Sequence, residues 1–405
     1  MSDAPGSIAA GEAASLASNA AADRFFPSEE YDRRLAVVRA HMEERGLGSL
    51  LLVSPESIYY FTGLNHMGYF AFTLLVIPKE GELGIVTRSM EGMTLSAQAP
   101  ELEHIGFEDD ESPGEAAATY LSRRDVGNGG KVGIERSTMY LPVMVWEEMA
   151  RHTDAEWEDA TDLVRGMRAV KSPLEIQCTR EAAALSDRAL RAGIKTAGVG
   201  VNEREVAAEL YRSLVLGGSE YPGFAPLVRS ADMLFHEHVT WRDRILVPGD
   251  VLFMELSASV RRYHAPLTRF VYLGSVPDRV EESADVITEG LEEVRKALVP
   301  GNLAGEVYAK WQAVIDGALG EGVYGRHHCG YMVGIGFPPS WMGGLSAVGL
   351  RRGSELEIKE GMVFHVLSWM LGQALPDYGV SDTMLVTADG GEILTSTGRR
   401  PTLLA

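Results

Sequence analysis

The chain is poor in cysteine and in positive charge, and each shortage excludes a class of protein. Its 405 residues include only two cysteines, Cys178 and Cys329, and no Cys-x-x-Cys spacing. A disulfide framework and a cysteine-rich zinc site are therefore excluded. The 37 Lys and Arg residues stand against 57 Asp and Glu residues, which gives a formal net charge of −20. This charge argues against nucleic acid and anionic membrane as partners.

Long apolar runs are also absent, so the sequence predicts no membrane span. Residues 1–24 are rich in Ala, Ser and Gly and lack the basic start and apolar core of a signal peptide, so we expect a disordered tail there. The remaining composition is that of an ordinary globular protein, with 45% hydrophobic and 23% charged residues. These features predict an acidic cytoplasmic protein of two or three domains with a large core.

Residues 25–168 alternate between helical and extended patterns, which predicts an α/β N-terminal domain around a central sheet. Apolar residues at helical spacing mark the helices, and short apolar runs mark buried strands. The predicted helices are Ser28–Arg45, Glu56–Thr62 and Tyr140–Arg151, and the predicted strands are Leu50–Val53, Phe70–Ile77, Leu83–Val86 and Val132–Ile134.

Residues 169–405 form the second predicted domain, which opens with a strong helix start. Ser172 suits the N-cap, Pro173 the first helical position and Glu175 the third, and Asn202 opens a similar motif. Helices and strands that follow one another in this region predict an α+β domain. The predicted helices are Ser172–Ala197, Asn202–Leu216, Arg279–Leu298 and Leu303–Leu319, and the predicted strands are Val251–Ser257, Thr268–Leu273, Gly330–Gly336, Met362–Ser368 and Thr383–Thr387.

The segment Gly249–Gly274, GDVLFMELSASVRRYHAPLTRFVYLG, resembles the metal-binding strand pair of the creatinase/prolidase (pita-bread) superfamily. Metal-dependent members of that superfamily hold two divalent cations with five ligands drawn from this strand pair and from later strands. The corresponding positions in this chain hold Glu255, Pro266, Tyr331, Leu367 and Ser381. A pair of hard cations needs several carboxylates, and only one is present. We therefore expect no metal and no cofactor.

The resemblance spans Ser172 to about Thr397 at motif level and is closest to the metal-free ectoine hydrolases. It rests on Glu255-Leu256, Arg262-Tyr263-His264-Ala265-Pro266-Leu267, Gly330-Tyr331, Pro338-Pro339 and Trp341. The resemblance implies a pita-bread C-terminal domain, in which four helices cover a curved, largely antiparallel sheet. More loosely, residues 25–168 resemble the creatinase-type N-terminal domain through their order of elements and the Tyr60–Gly63 turn.

Three residues are candidates for catalysis. The resemblance implies that Glu255 attacks the electrophilic carbon of a cyclic amidinium and forms a covalent intermediate. His238 lies twelve residues before Asp250, the separation at which creatinases place their catalytic histidine, and it can exchange protons near neutral pH. His236 would point to the same side of an extended segment, so which of the two faces the site stays open. His264 is the third candidate, as a partner of Glu255 or of a substrate carboxylate.

The substrate-binding candidates are aromatic and polar side chains in or near these motifs. Tyrosines can donate hydrogen bonds, and tryptophans can surround a cationic ring. The predicted set is Tyr263, Tyr331, Trp241, Trp341, Trp369, Leu367, Asp382, His66 and Phe70. His66 and Phe70 lie in a loop that in creatinases crosses a dimer, so the resemblance implies a homodimer in which this loop completes the partner's site.

The favoured hypothesis is a metal-independent hydrolase that cleaves a carbon–nitrogen bond of a small zwitterionic cyclic amidine such as ectoine. The second is a creatinase-like amidinohydrolase or an Xaa-Pro peptidase, and the third is a non-catalytic binding protein on the same fold. A mononuclear metal site that combines Glu255 and His264 with the pair His327-His328 also stays open, although adjacent residues of a strand point in opposite directions.

Overall fold

The computed structural model describes residues 25–127, 130–343 and 348–405. The chain divides into two compact units, Met1–Arg168 and Ala169–Ala405. The expected disordered tail, residues 1–24, lies outside the described residues. Within the described ranges, every helix is too short or too polar to cross the lipid core of a membrane.

The first unit is built on a mixed six-stranded sheet. Its helices are α1 Ser28–Arg45, α2 Pro55–Thr62, α3 Gly92–Gln98, α4 Pro113–Arg123, α5 Val143–Arg151 and α6 Thr161–Ala169, and its strands are β1 Leu47–Leu52, β2 Leu74–Pro78, β3 Gly84–Arg88, β4 Glu103–Phe107, β5 Lys131–Ile134 and β6 Glu156–Asp159. The strand order is β4-β3-β2-β1-β5-β6. Strand β1 is antiparallel to β2 and parallel to β5, so the predicted α/β domain is confirmed.

Two strands of this sheet, β4 and β6, escape prediction because both lie at sheet edges. Their side chains are mostly half-buried or exposed, so they lack the apolar run that marks a central strand. The strand predicted over Phe70–Ile77 begins only at Leu74. The residues Gly68–Phe70 form a short 3-10 turn instead, and the Phe70 side chain is 78% exposed.

The second unit packs four long helices with an eight-stranded sheet. Its helices are α7 Pro173–Thr196, α8 Glu203–Leu216, α9 Val280–Ala297 and α10 Ala304–Leu319, and its strands are β7 Leu227–Ser230, β8 Val251–Leu256, β9 Ser259–Val260, β10 Tyr263–His264, β11 Leu267–Leu273, β12 Gly330–Met332, β13 Val363–Met370, β14 Tyr378–Thr387, β15 Gly390–Ile393 and β16 Thr402–Leu404. The main path of the sheet is β12-β13-β14-β11-β8-β7, with β15 paired to β14 and β16 to β11, while β9 and β10 form a separate hairpin.

Both predicted helix starts in this unit are confirmed. The Ser172 hydroxyl accepts from the Glu175 N–H, and the Glu175 carboxylate accepts from the Ser172 N–H at 2.8 Å, which is a capping box with Pro173 at the first helical position. Asn202 and Glu205 form the equivalent pair at the start of α8. These interactions satisfy helix N–H groups that have no partner within the helix.

The central strands of the second sheet are buried on both faces. All eight residues of β13 and nine of the ten in β14 are buried. The strand predicted over Gly330–Gly336 ends at Met332, and Gly334 instead accepts a backbone hydrogen bond from His264. The edge strand β7 was not predicted, since four residues give too short a pattern to recognise.

Candidate active site

The register of the second sheet brings the positions that correspond to metal ligands of the superfamily onto one face. Glu255 pairs with Thr268, Thr268 pairs with Ser381, and Ser381 pairs with Leu367. Side chains directly opposite one another in a sheet project from the same face, so these four residues form a row across β8, β11, β14 and β13. The row defines the candidate active site.

Glu255 lies at one end of this row and is 4% exposed. Burial raises the pKa of its carboxyl from an ordinary value of 4.5 to about 7, because the charged form loses its hydration. The nearby guanidinium of Arg229 opposes that shift by favouring the carboxylate. The site therefore holds a poorly solvated carboxyl that titrates near neutral pH.

The donor set of this face does not fit a pair of metal ions. Glu255 is the one carboxylate among the five positions, and Pro266 and Leu367 offer no side-chain donor. The hydroxyl groups of Tyr331 and Ser381 already take part in hydrogen bonds. In the described ranges, no cluster of three or more His, Cys, Asp or Glu side chains is placed to hold a metal ion.

A buried hydrogen-bonded chain occupies the part of the face beyond Leu367. The Trp341 indole donates to the Tyr331 hydroxyl at 3.0 Å, and that hydroxyl lies 2.9 Å from Nδ1 of His365. The other ring nitrogen of His365 lies 2.5 Å from the Ser381 hydroxyl. Burial lowers the pKa of His365 well below its usual value, so the ring is neutral and links β12 to β14.

The Arg262-Tyr263-His264 segment supports the site through structural contacts. Arg262 donates to the carbonyl groups of Tyr221 and Gly336, at 2.8 Å and 2.6 Å. The Tyr263 hydroxyl donates to the Glu175 carboxylate at 2.6 Å, which directs it to the start of α7. The predicted contact of Tyr263 with the substrate stays a prediction, and the hydroxyl is already used by Glu175.

His264 is likewise committed to backbone groups. Its Nε2 accepts from the Gly223 N–H at 2.9 Å, and its Nδ1 donates to the Arg262 carbonyl at 2.9 Å. Burial lowers its pKa to about 3, so the ring stays neutral and has no free nitrogen for proton transfer. These contacts favour a positioning role for His264 at the Gly223 segment, and its predicted catalytic role stays a prediction.

His238 is exposed and contacts the aromatic part of the site through Phe224. Its ring stacks on Phe224 with centroids 6.3 Å apart, and Phe224 packs edge-on against Trp341 at 4.8 Å. The backbone of His238 has a φ of 56°, a conformation that few non-glycine residues adopt. His236 is also exposed, and His238 is the one of the two whose ring contacts Phe224.

The remaining predicted residues divide between the site and other regions. Trp369 shares the Glu255 face, since it follows Leu367 by two residues on β13. Trp241 packs edge-on against Tyr211 of α8 at 5.9 Å, outside any aromatic box around the row. Asp382 neighbours Ser381 on β14 and so faces the other side of the sheet, where it accepts from Arg269 at 2.8 Å and Arg399 at 2.6 Å.

His66 and Phe70 belong to the first unit. The Nδ1 of His66 lies 3.2 Å from the Glu91 carboxylate, and burial lowers its pKa. Phe70 is largely exposed, with the Arg88 guanidinium 5.7 Å from its ring centroid. Their predicted role in a partner's site stays a prediction.

Sequence reasoning missed three residues that the fold adds to this face. His365 precedes Leu367 by two positions on β13, so strand alternation alone would have placed it beside the predicted residues. Arg229 lies on the short edge strand β7, opposite Phe253. Arg326 stacks on Trp369 at 4.4 Å from the ring centroid, from a segment without regular structure, and no local pattern indicates that contact.

Two family models match the chain. Residues 177–388 match metallopeptidase family M24, and residues 34–170 match the creatinase/prolidase N-terminal domain. Together these matches cover both structural units and agree with the order of elements described above.

Individual relatives span almost the whole chain. An ectoine hydrolase from Halomonas elongata is 28% identical over 395 residues, which are 93% of this chain and 97% of the relative. An Xaa-Pro dipeptidase from Pyrococcus furiosus is 25% identical over 368 residues, 90% of this chain and 98% of the relative. The crystal structure of a prolidase from Thermococcus sibiricus superimposes with a TM-score of 0.80 at 23% identity and covers 92% of this chain and 99% of its own.

Proposed function

The chain belongs to metallopeptidase family M24, and from that premise we propose that it is a hydrolase that cleaves a carbon–nitrogen bond without metal ions. The proposed substrate is a small zwitterionic cyclic amidine such as ectoine. The observation that carries the proposal is Glu255, a buried carboxyl that stands alone among five positions suited to metal ligands. The similarity to an ectoine hydrolase supports the choice of substrate class.

Glu255 supplies the nucleophile in this proposal. A carboxylate oxygen forms a bond to the carbon between the two amidine nitrogens, and the electron pair of the carbon–nitrogen double bond moves to nitrogen. Protonation of one nitrogen then lets its bond to carbon break, which opens the ring and leaves an imidate ester on Glu255. Water attacks that ester, the bond to Glu255 breaks, and the carboxylate is restored beside an amide product.

The environment of Glu255 suits this role. Desolvation raises the energy of the carboxylate and therefore its reactivity, while the positive charge of Arg229 keeps the ionised form accessible near neutral pH. A cationic amidinium in the site would favour ionisation further, because opposite charges attract strongly in a poorly solvated pocket. Binding of substrate thus prepares the nucleophile for attack.

His238 is the proposed proton donor and acceptor. Its exposed ring against Phe224 supports this role, in which it would protonate a nitrogen that leaves toward solvent and then activate the water that enters. The neutral chain of Tyr331 and His365 would border the other side of the ring. Trp341 and Trp369 supply aromatic surface for a flat cation.

The experiment follows EDTA-treated protein with ectoine and detects N-acetyl-diaminobutyrate by NMR. We expect full activity in wild type and none in Glu255→Gln. The matched control is Glu392→Gln. Glu392 lies on β15, and its partly exposed carboxylate pairs with Arg180, so this variant should leave turnover unchanged. We expect His238→Ala to accumulate a covalent adduct, visible as one added substrate mass on the intact protein.

Other outcomes separate the alternative functions. Activity on ectoine that returns only with manganese or cobalt would contradict the proposal. Metal-dependent cleavage of an Xaa-Pro dipeptide would support an Xaa-Pro peptidase, the activity named for two relatives. Turnover of creatine instead of ectoine would support a creatinase-like amidinohydrolase. Binding without turnover across a panel of zwitterions would support a non-catalytic binding protein.

A further inference from the structure

Two arginines border Glu255 and rest on aromatic rings. Arg229 lies on β7, two residues beyond Leu227, which pairs directly with Glu255. Its guanidinium carbon lies 4.0 Å from the ring centroid of Phe253, and its side chain is 1% exposed. Arg326 stacks in the same way on Trp369 and is 10% exposed. Both charges are therefore held by packing at the candidate site.

Several donor groups of this cluster have no acceptor. Among the described residues, nothing accepts from Nε and Nη1 of Arg229, from Nε of Arg326, or from the indole nitrogen of Trp369, although all four atoms are buried. Buried N–H groups are nearly always hydrogen-bonded, so a group of four without acceptors calls for an explanation. An anionic ligand with two oxygen atoms would supply acceptors for one edge of the Arg229 guanidinium and for a donor of Arg326 or Trp369.

Glu237 shows that a carboxylate fits between the two guanidinium groups. One of its oxygens lies 3.8 Å from Nη2 of Arg229, and the other lies 3.8 Å from Nη1 of Arg326. These distances are too long for hydrogen bonds, and the Glu237 side chain is 52% exposed. The two guanidinium groups thus face one carboxylate position, and Glu237 occupies that position without forming hydrogen bonds.

We propose that Arg229 and Arg326 form the subsite for the carboxylate of the substrate, and that Glu237 is an internal competitor that leaves when the substrate binds. The inference rests on the proposed function, since the carboxylate is that of the zwitterion whose amidine meets Glu255. The subsite would anchor the substrate beside the nucleophile and reject neutral analogues. Specificity would then come from charge-assisted hydrogen bonds that an amide or ester cannot accept in the same way.

The test measures binding by calorimetry in the Glu255→Gln background, where no turnover occurs. The probes are ectoine, its carboxamide, and acetate, which assumes nothing about the substrate. We expect ectoine to bind more tightly than the carboxamide. Arg229→Gln and Arg326→Gln should each weaken ectoine binding about 10- to 100-fold, the range for a lost charge-assisted hydrogen bond, and should leave carboxamide binding nearly unchanged.

Two further variants guard against misfolding. Arg229→Lys keeps the charge but loses the planar fork, so it should retain the fold and lose most of the discrimination. Glu237→Gln changes an exposed residue and should tighten ectoine binding about two- to fivefold, because it removes a partly exposed ion-pair competitor.

The outcomes distinguish this proposal from the proposed function. Ectoine binding that is unaffected by the arginine variants would overturn the subsite and leave the hydrolase proposal standing. Failure of ectoine to bind, together with acetate binding that both arginine variants abolish, would support the subsite and refute the substrate. The subsite would be overturned if neither ectoine nor acetate binds. It would also be overturned if Glu237→Gln weakens the binding of ectoine.

Discussion

Replacement of Glu255 by glutamine should stabilise the protein at the same time as it abolishes activity. The carboxyl has an ordinary pKa of 4.5 and a pKa of about 7 in the folded chain, with burial as the main cause. Between these values the folded state keeps a proton that the unfolded state has lost, so stability falls as the pH rises through this window. Glutamine, which resembles the protonated acid, avoids that loss.

The expected magnitude follows from the size of the shift. A difference of about 2.5 pKa units corresponds to about 3 kcal/mol once the folded carboxyl is ionised, at about 1.4 kcal/mol per unit. At about pH 8 the variant should therefore gain about 3 kcal/mol over wild type, and at about pH 5 the gain should shrink to about 1 kcal/mol. Such a gain is typical of catalytic groups whose function conflicts with stability.

Urea unfolding of the full-length chain at both pH values measures this effect. Asp382→Asn is the control, since Asp382 is an equally buried carboxylate that pairs with Arg269 and Arg399. That variant should lose about 3–5 kcal/mol, because the buried Arg269 and the partly buried Arg399 are left without their carboxylate. An equal gain for Glu255→Gln at both pH values, or no gain at about pH 8, would refute the argument from desolvation.

Three further outcomes are expected. The value of kcat/KM should rise with pH through about 7, since the nucleophile is the ionised form of Glu255, and a flat profile would contradict this role. Tyr263→Phe should cost about 2 kcal/mol in urea unfolding and leave kcat unchanged, because its hydroxyl serves Glu175. Tyr331→Phe should cost about 1–3 kcal/mol, since it leaves the Trp341 N–H buried without an acceptor, and unchanged unfolding would argue against that hydrogen bond.

The resemblance to the superfamily's motifs supplied Glu255, Tyr331 and Leu367 as candidates, and it did not say which side of the sheet each occupies. The strands that carry them have strong apolar patterns, and the register of the sheet places them with Trp369 on one face. Strand alternation could have separated Asp382 from the site, since its neighbour Ser381 occupies the row and adjacent residues face opposite sides.

The contacts that sequence patterns leave out join residues that are distant in the chain. The His264 ring is hydrogen-bonded to Gly223. The Tyr263 hydroxyl is hydrogen-bonded to Glu175, which precedes it by 88 residues. No periodicity in the sequence encodes such a pairing. The sequence alone therefore does not show that the His264 ring and the Tyr263 hydroxyl already have hydrogen-bond partners. Arg326 presents the converse case, because its place on the ring of Trp369 arises from an irregular segment.

The hydrogen-bonded chain of Tyr331, His365 and Ser381 accounts for how the scaffold keeps its shape with such a donor set. Two bound metal ions would link several strands at one point. If apolar groups alone replaced the ligands, those strands would have no cross-link there. Here the neutral ring of His365 joins the hydroxyl groups of Tyr331 on β12 and Ser381 on β14. The Trp341 indole donates a further hydrogen bond to the Tyr331 hydroxyl. A buried network in which every polar side-chain atom has a hydrogen-bond partner favours a single arrangement of strands. The reactive carboxyl of Glu255 can then remain poorly solvated at the end of the row, because the rigidity of its surroundings comes from groups that carry no charge.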